Sequence, residues 1–516
     1  MDRTIEQWQI AKPVARSRKG VVAAQNARAA EVGVEVLRAG GNAVDAAVAA
    51  GFALGVAEPW MSGLGGGGYM LVYLAAEGRV HVVDFSMVAP RALDPSAFPL
   101  AGGGRDDDLF GWPAVEGDRN VAGPLSIATP GTVDGFGLAL ERFGTMPWRD
   151  VLEPAAALAR RGHPVDWWTT LKVAGEAGLL ARDEAARGVY LPGGLPPVAA
   201  ETGTDYLDLG ALPDTLEHLA TAGRRDFYEG GLAERLAAEL SAAGSVLSRE
   251  DLAGYRARVV APLTVERGDA RIHLLPGLSA GPTFADALAR LPAIAKGAPG
   301  PGAYAGYAEA LAAATARRLE EMGHSGDTAG QGSTTHISVI DGAGNMVACT
   351  NTLLSLFGSK VILPGTGVLM NNGIMWFDPR PGRPNSIAPG VRPLSNMCPV
   401  AVTREGAPWF ALGASGGRRI LPAAFQLVSF LVDCGLSLEE AVHLPRLNVD
   451  GSPTVEADRR LPLDTIEAVA ARLPVAAVEA LVSPNKFANP LVVLRDGDGC
   501  LGAAPVRSPV AAALGA

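Results

Sequence analysis

Ser333-Thr334-Thr335-His336-Ile337-Ser338-Val339-Ile340, then Asp341-Gly342-Ala343-Gly344-Asn345, then Met346-Val347-Ala348-Cys349-Thr350-Asn351-Thr352 is the stretch on which the fold turns. Two β-prone runs flank a short turn holding two glycines, which predicts an antiparallel hairpin. With the turn centred on Ala343, Ile340 faces Met346, Ser338 faces Ala348 and Thr334 faces Thr352. Directly opposed residues share a face of the sheet, with Cβ atoms about 5 Å apart. Thr334, His336, Thr350 and Thr352 therefore lie on one hydroxyl-rich face. Ile337, Val339, Val347 and Cys349 lie on the other, which is fit for a core.

Just upstream, residues 323–332 hold four glycines and no large apolar side chain, the composition of an exposed loop. A hydroxyl residue that opens a strand after such a loop points to an N-terminal nucleophile. Attack of Thr334 on the Ser333 carbonyl would cut the backbone by an N–O acyl shift. The freed α-amine, with a reference pKa near 8, would then serve the adjacent Oγ as general base. A lone threonine hydroxyl is a weak nucleophile and needs that base. Thr352, opposite, is placed to hold the attacking rotamer. The same residues also suit an ordinary hairpin, so the pattern gains force only with company. Leu412-Gly413-Ala414-Ser415-Gly416-Gly417-Arg418-Arg419-Ile420 supplies some, because adjacent glycines let two bare N–H groups approach an oxyanion. A plain strand-to-helix turn reads the same way.

Working outward, Ala27–Leu37 reads as a helix ended by Gly40-Gly41, and Asn42 caps a second helix over Ala43–Val56. Gly63–Gly68 precedes strands over Tyr69–Leu74 and Arg79–Phe85. The cluster lacks a phosphate-loop ending and GxGxxG spacing, so it carries no nucleotide role. Residues 126–291 read as mostly helical. Beyond the 323–332 loop come strands at 334–340, 346–352, 361–363, 368–371, 398–403 and 408–412, a helix Pro422–Cys434, and a closing strand pair near 490–502. Helices first and strands later predict an α+β layered architecture.

The 516 residues include 54 acidic and 44 basic side chains, a formal charge of −10 that disfavours a nucleic-acid partner. Gly (64) and Pro (38) make up about a fifth of the chain, well above the usual share. The longest apolar run, Ala46–Ala57, is short of the ~20 residues a membrane span needs. The first twenty residues carry no apolar signal segment, and a cytoplasmic protein without a membrane partner is expected. Cys349, Cys398, Cys434 and Cys500 are scattered and read as core. No metal-ligand spacing occurs among the histidines, and no cofactor is expected.

Taken together, several motifs resemble the gamma-glutamyltransferase (gamma-glutamyltranspeptidase) family. Thr334-Thr335-His336, Ser338-Val339, Asn345, Thr352 and Phe357-Gly358 are similar to the start of its small subunit. So are Asn371-Asn372, Arg392-Pro393-Leu394-Ser395, Met397, Pro399, Gly416-Gly417 and Arg419-Ile420. Gly40–Ala47 and Gly63–Gly68 resemble its large-subunit signature, and the similarity runs in order from about residue 20 to the C-terminus. The resemblance implies a four-layer αββα sandwich of the N-terminal-nucleophile hydrolase type. It also implies a proenzyme cut between Ser333 and Thr334 into a large subunit, 1–333, and a small subunit, 334–516, held together as a heterodimer. Thr334 would be the nucleophile, Thr352 its assistant and Gly416 and Gly417 the oxyanion hole. Ser395 and Asn396 would line the pocket for a small-molecule amide or acyl substrate.

This chain departs from that family where the glutamyl group's charges are gripped. The expected arginine after Phe85 is Ser86, and the expected amide after Thr352 is Leu354. The amide and acidic residues expected after Asn371-Asn372 are replaced by Gly373-Ile374-Met375-Trp376. Losing several hydrogen bonds to charged groups, each worth about 1.5–3 kcal/mol, weakens recognition of a zwitterion roughly a thousandfold or more. The expectation is an amidohydrolase or acyltransferase for a non-glutathione acyl amide, with Arg418 a candidate clamp for an anionic acyl group and Trp376 a candidate apolar wall. A true glutathione hydrolase, and an uncleaved relative that only binds a metabolite, are the alternatives.

Overall fold

The computed structural model describes residues 10–104, 111–324 and 335–516. Ser333, Thr334 and most of the glycine loop 323–332 lie outside the described residues.

The hairpin forms as its sequence dictates. Thr335–Asp341 and Met346–Thr352 pair antiparallel, with Ile340 opposite Met346, Ser338 opposite Ala348 and His336 opposite Thr350. Asp341 sets the turn, accepting from the Asn345 backbone N–H (2.9 Å) and from Asn345 Nδ2 (2.8 Å). Its second oxygen also accepts from Ala43 N (3.0 Å), joining the turn to the start of a helix.

Around the hairpin grows a seven-stranded antiparallel sheet. Its order is Ala512–Gly515, Gly20–Ala24, Thr335–Asp341, Met346–Thr352, Gly67–Leu74, Arg79–Phe85 and Arg258–Val260. A second antiparallel sheet of seven runs Ala15–Ser17, Gly499–Ala503, Asn489–Asp496, Ala407–Ser415, Val400–Arg404, Ala270–Leu274 and Leu263–Arg267.

Every residue of both hairpin strands is buried, so the first sheet is covered on both faces. Ile337, Val339, Val347 and Cys349 pack outward against helices Ala27–Arg38, Ala43–Ala57 and Thr132–Phe143. Ile340, Met346 and Ala348 pack inward against Ala401, Ala411, Leu491 and Val493 of the second sheet. That sheet's far face, with Ile272, Val402 and Phe410, meets helices Gly281–Arg290, Pro301–Glu321 and Ile420–Val432. The result is helix on sheet on sheet on helix, the expected αββα sandwich.

The long apolar run belongs to helix Ala43–Ala57, which is buried at every position except Gly55. A helix that is apolar all round sits inside a large protein as readily as in a bilayer. Among the described residues no helix is long and apolar enough to cross a membrane. Asn42 caps it in a capping box with Asp45.

Residues 126–291 are mostly helical, as expected, but the strands there were not anticipated. Of these, Arg258–Val260, Leu263–Arg267 and Ala270–Leu274 close one edge of each sheet. They are short and half-exposed, with charged residues alternating outward, so they offer little apolar signal. Strand Gly20–Ala24 was also not anticipated. The helix expected at Pro422 starts at Ile420, since proline is tolerated in a first turn. All four cysteines are buried and unpaired.

Candidate active site

The inner face of the hairpin carries the polar centre. His336 Nδ1 lies 2.8 Å from Thr350 Oγ1, and Nε2 lies 3.0 Å from Ser338 Oγ. The Ser338 hydroxyl donates to the Leu491 carbonyl (3.2 Å). It therefore accepts from His336, which places the imidazole proton on Nε2 and makes Nδ1 the acceptor for Thr350. Burial pushes the His336 pKa down to about 3, so the ring is neutral at physiological pH. It acts as a pillar between the sheets, seated on Gly413, where a Cβ would lie 2.3 Å from the ring.

Thr352 ends the second hairpin strand, fully buried. Its Oγ1 accepts from Leu354 N (2.8 Å), and its own N–H donates to Asn351 Oδ1 (2.9 Å), which also takes the Thr132 hydroxyl (2.8 Å). The glycine cluster upstream exists to let this strand come close. A Cβ on Gly66 would meet the Thr352 carbonyl at 2.3 Å, and one on Gly68 the Thr350 carbonyl at 2.0 Å.

The turn after Thr352 is tied down by two asparagines. Asn372 accepts from Ser355 N (3.1 Å) and donates to Ser355 Oγ (2.8 Å) and Val121 O (2.8 Å). Asn371 reaches Gly65 O (2.7 Å) and Ala128 O (2.8 Å), while its Oδ1 accepts from Ala128 N and Gly373 N. Gly373 is wedged between Ala128 and Met87. Leu354 is buried in the core between the sheets and holds φ of 89°.

Where an arginine was expected, Ser86 is fully engaged. Its hydroxyl donates to Asp84 Oδ1 (2.7 Å) and accepts from Arg392 Nε (2.9 Å), while Arg258 pairs with the other Asp84 oxygen (2.6 Å). Trp376 is 1% exposed and packs in the core between the sheets. Thus Thr352, Leu354 and Gly373 are gathered at one end of the sheet through Asn371 and Asn372. Ser86 follows a strand two places further along the sheet, and Trp376 is sealed from solvent.

Gly416 and Gly417 follow strand Ala407–Ser415 with φ of 138° and 62°, angles that favour glycine. Gly416 is pressed on Ala488, where an added Cβ would come within 3.0 Å of the Cα. Gln25 Nε2 braces this turn through Ser415 Oγ (2.9 Å) and Asn489 O (2.9 Å). Arg419 holds Asn485 O (2.6 Å). Arg418 lies half-buried with its guanidinium 5.4 Å from the Trp112 ring.

Ser395 and Asn396 form a buried loop whose Ser395 N donates to Leu278 O (3.4 Å). That carbonyl also takes the Tyr69 hydroxyl (3.2 Å), and Tyr69 pairs with Thr350. The loop is thereby linked to the hairpin strand. Asn396 Nδ2 is buried with no hydrogen-bond partner among the described residues. Sequence reasoning missed Gln25, Arg318 and the engagement of Arg392 with Ser86. Arg318 had a signal, because it falls on the buried stripe of its helix with Tyr304, Tyr307, Leu311, Ala314 and Thr315.

Two antiparallel sheets faced by helices, with a polar hairpin strand end between them, have the four-layer fold of the N-terminal-nucleophile hydrolase type. The solved cephalosporin acylase from Bacillus halodurans superposes with a TM-score of 0.86 over 100% of this chain and 99% of its own, at 23% identity. The gamma-glutamyltranspeptidase family model matches residues 29–329 and 308–514. The acylase ACY 1 proenzyme of Pseudomonas sp. (strain SE83) is 35% identical over 95% of this chain and 92% of its own length. The glutathione hydrolase proenzyme of Escherichia coli (strain K12) is 32% identical over 92% of this chain and 88% of its own. The chain belongs to the gamma-glutamyltranspeptidase family, and is an amidohydrolase/acyltransferase of it.

Proposed function

We propose that this protein is a self-processing acylase, cut between Ser333 and Thr334 into parts 1–333 and 334–516 that remain associated. Thr334 Oγ attacks the carbonyl carbon of an acyl amide, and its own α-amine takes the hydroxyl proton. Thr352 orients the nucleophile, while the N–H groups at Gly416 and Gly417 bind the oxyanion. Collapse expels the amine, which leaves with the proton, and yields an ester on Thr334. Water or an acceptor amine then adds to the ester and releases the acyl group. Ser395 and Asn396 contact the acyl chain, and Arg418 is the clamp for an anionic acyl end.

One observation carries the choice of substrate. The positions that would grip an amino-acid zwitterion are closed off: Leu354 and Trp376 lie in the core between the sheets, Gly373 has no side chain, and the Ser86 hydroxyl is spent on Asp84 and Arg392. The frame around Thr352 remains polar and braced. The names of the Pseudomonas relative, an acylase, and of the structural neighbour, a cephalosporin acylase, support the same substrate class.

The test has two arms. On a denaturing gel the wild type resolves into two bands and Thr334→Ala into one, without turnover; a wild type that stays a single chain defeats the mechanism. With p-nitroanilides, glutaryl or simple acyl compounds are turned over faster than the gamma-glutamyl one. The reverse preference makes the protein a glutathione hydrolase.

A further inference from the structure

Arg318 lies near the end of helix Pro301–Glu321 and is 2% exposed. Among the described residues no carboxylate lies within ion-pair distance of it. A buried guanidinium without a counter-ion is held by dipoles or not at all. Its three acceptors come from two segments far apart in sequence: Ser279 O (3.1 Å) and Thr283 Oγ1 (2.6 Å) bind Nη1, and Ser395 O (3.1 Å) binds Nη2. Ser279 and Thr283 belong to the turn and first residues of helix Gly281–Arg290. Ser395 belongs to the loop assigned above to the acyl group.

We propose that Arg318 is a positioning residue for the reaction: its planar fork fixes the Ser395–Asn396 loop in its substrate-binding shape from within the other part of the chain. The proposal rests on the reading of that loop as substrate-binding. Three features favour positioning over general packing. The guanidinium grips the backbone carbonyl of Ser395 itself. The loop's flanks are tied by Leu394 N to Asn385 Oδ1 (3.0 Å) and Ala280 N to Met397 O (3.2 Å), but the other backbone bond of Ser395, from its N–H to Leu278 O, is longer at 3.4 Å. The fork geometry also cannot be reproduced by a lysine, whose single ammonium cannot span the same set of acceptors. Arg317, the neighbouring residue, points outward to Glu321 (2.8 Å) and serves as an internal control.

The test compares steady-state kinetics of Arg318→Gln, Arg318→Lys, Thr283→Val, Ser395→Ala and Arg317→Gln on an acyl-p-nitroanilide, with unfolding measured alongside. Loss of one charge-assisted hydrogen bond predicts KM raised about tenfold in Arg318→Gln, with kcat changed much less. Arg318→Lys falls between it and wild type, and Arg317→Gln matches wild type. If Arg318→Gln does not fold, Thr283→Val, which removes one acceptor but no charge, carries the test with a smaller rise in KM. A raised KM in Ser395→Ala with unchanged KM in Arg318→Gln and Thr283→Val overturns the positioning role. An unchanged KM in Ser395→Ala overturns the substrate reading of the loop, and the proposal with it.

Discussion

Leu354 holds a φ of 89°, a left-handed angle that L side chains adopt at a cost of about 1–2 kcal/mol and that asparagine tolerates best. Its N–H is nonetheless used, donating to Thr352 Oγ1, so the turn keeps this shape for the sake of the threonine. Leu354→Asn is therefore expected to relieve about 1 kcal/mol of backbone strain yet to destabilise the protein by roughly 1–3 kcal/mol net in urea unfolding, because the side chain it replaces is buried and apolar. It should also raise turnover of gamma-glutamyl-p-nitroanilide relative to the glutaryl compound; no change in that ratio would remove Leu354 from the specificity argument. Histidines set a second expectation. Burial lowers His336 to about 3 and His163 to about 4, against an ordinary 6.5. A base with a depressed folded-state pKa binds its proton first in the unfolded chain. Stability is thus lost as pH falls below 6.5, by roughly 1.4 kcal/mol per unit for each such group down to its folded value. His163→Gln should flatten urea-measured stability by one proton's worth between pH 6.5 and 4, and an unchanged slope would mean His163 titrates normally.

At the scale of elements, the cap on helix Ala43–Ala57 is the cleanest to test. Asn42 Oδ1 accepts from Val44 and Asp45 N–H groups (2.8 and 3.1 Å), and its Nδ2 holds Phe143 O (2.8 Å). Asn42→Ala should cost about 1–2 kcal/mol in denaturant unfolding without altering KM; a shifted KM would mean the helix start reaches the site. This cap was legible because a side-chain cap is a local event, and so was the hairpin register, since Asp341 and two glycines confine the turn. Strand Leu263–Arg267 was not legible, because it lies at the edge of its sheet and polar residues fill its outer face. The same division holds in the site. Thr352, Gly416 and Gly417 stand out as candidates by residue type and spacing. Arg318 shows in sequence only as a member of its helix's buried stripe, since its partners are carbonyls of Ser279 and Ser395, far away in sequence. Ser86 likewise reads as a missing arginine until Asp84 and Arg392 are seen to occupy it.

For the whole molecule, the proposed cut falls in a chain whose two parts are interleaved. Strand Thr335–Asp341 lies between Gly20–Ala24 and Met346–Thr352, and Gly67–Leu74 pairs on the far side of the latter. The second sheet is mixed in the same way, with Ala270–Leu274 beside Val400–Arg404 and Ala15–Ser17 beside Gly499–Ala503. Neither part keeps a complete sheet alone, so fragments 1–333 and 334–516 expressed separately should show no cooperative unfolding transition, whereas the cut full-length protein should. A cooperative transition in either fragment alone would show that the sheets are less interdependent than they look. Interleaving also gives maturation a direction in time. A single chain brings its strands together as a first-order event, but two severed chains must find each other by diffusion, with aggregation of unpaired strand edges competing. Once cut, the protein's persistence is then governed by how slowly it opens, and its recovery from unfolding depends on concentration.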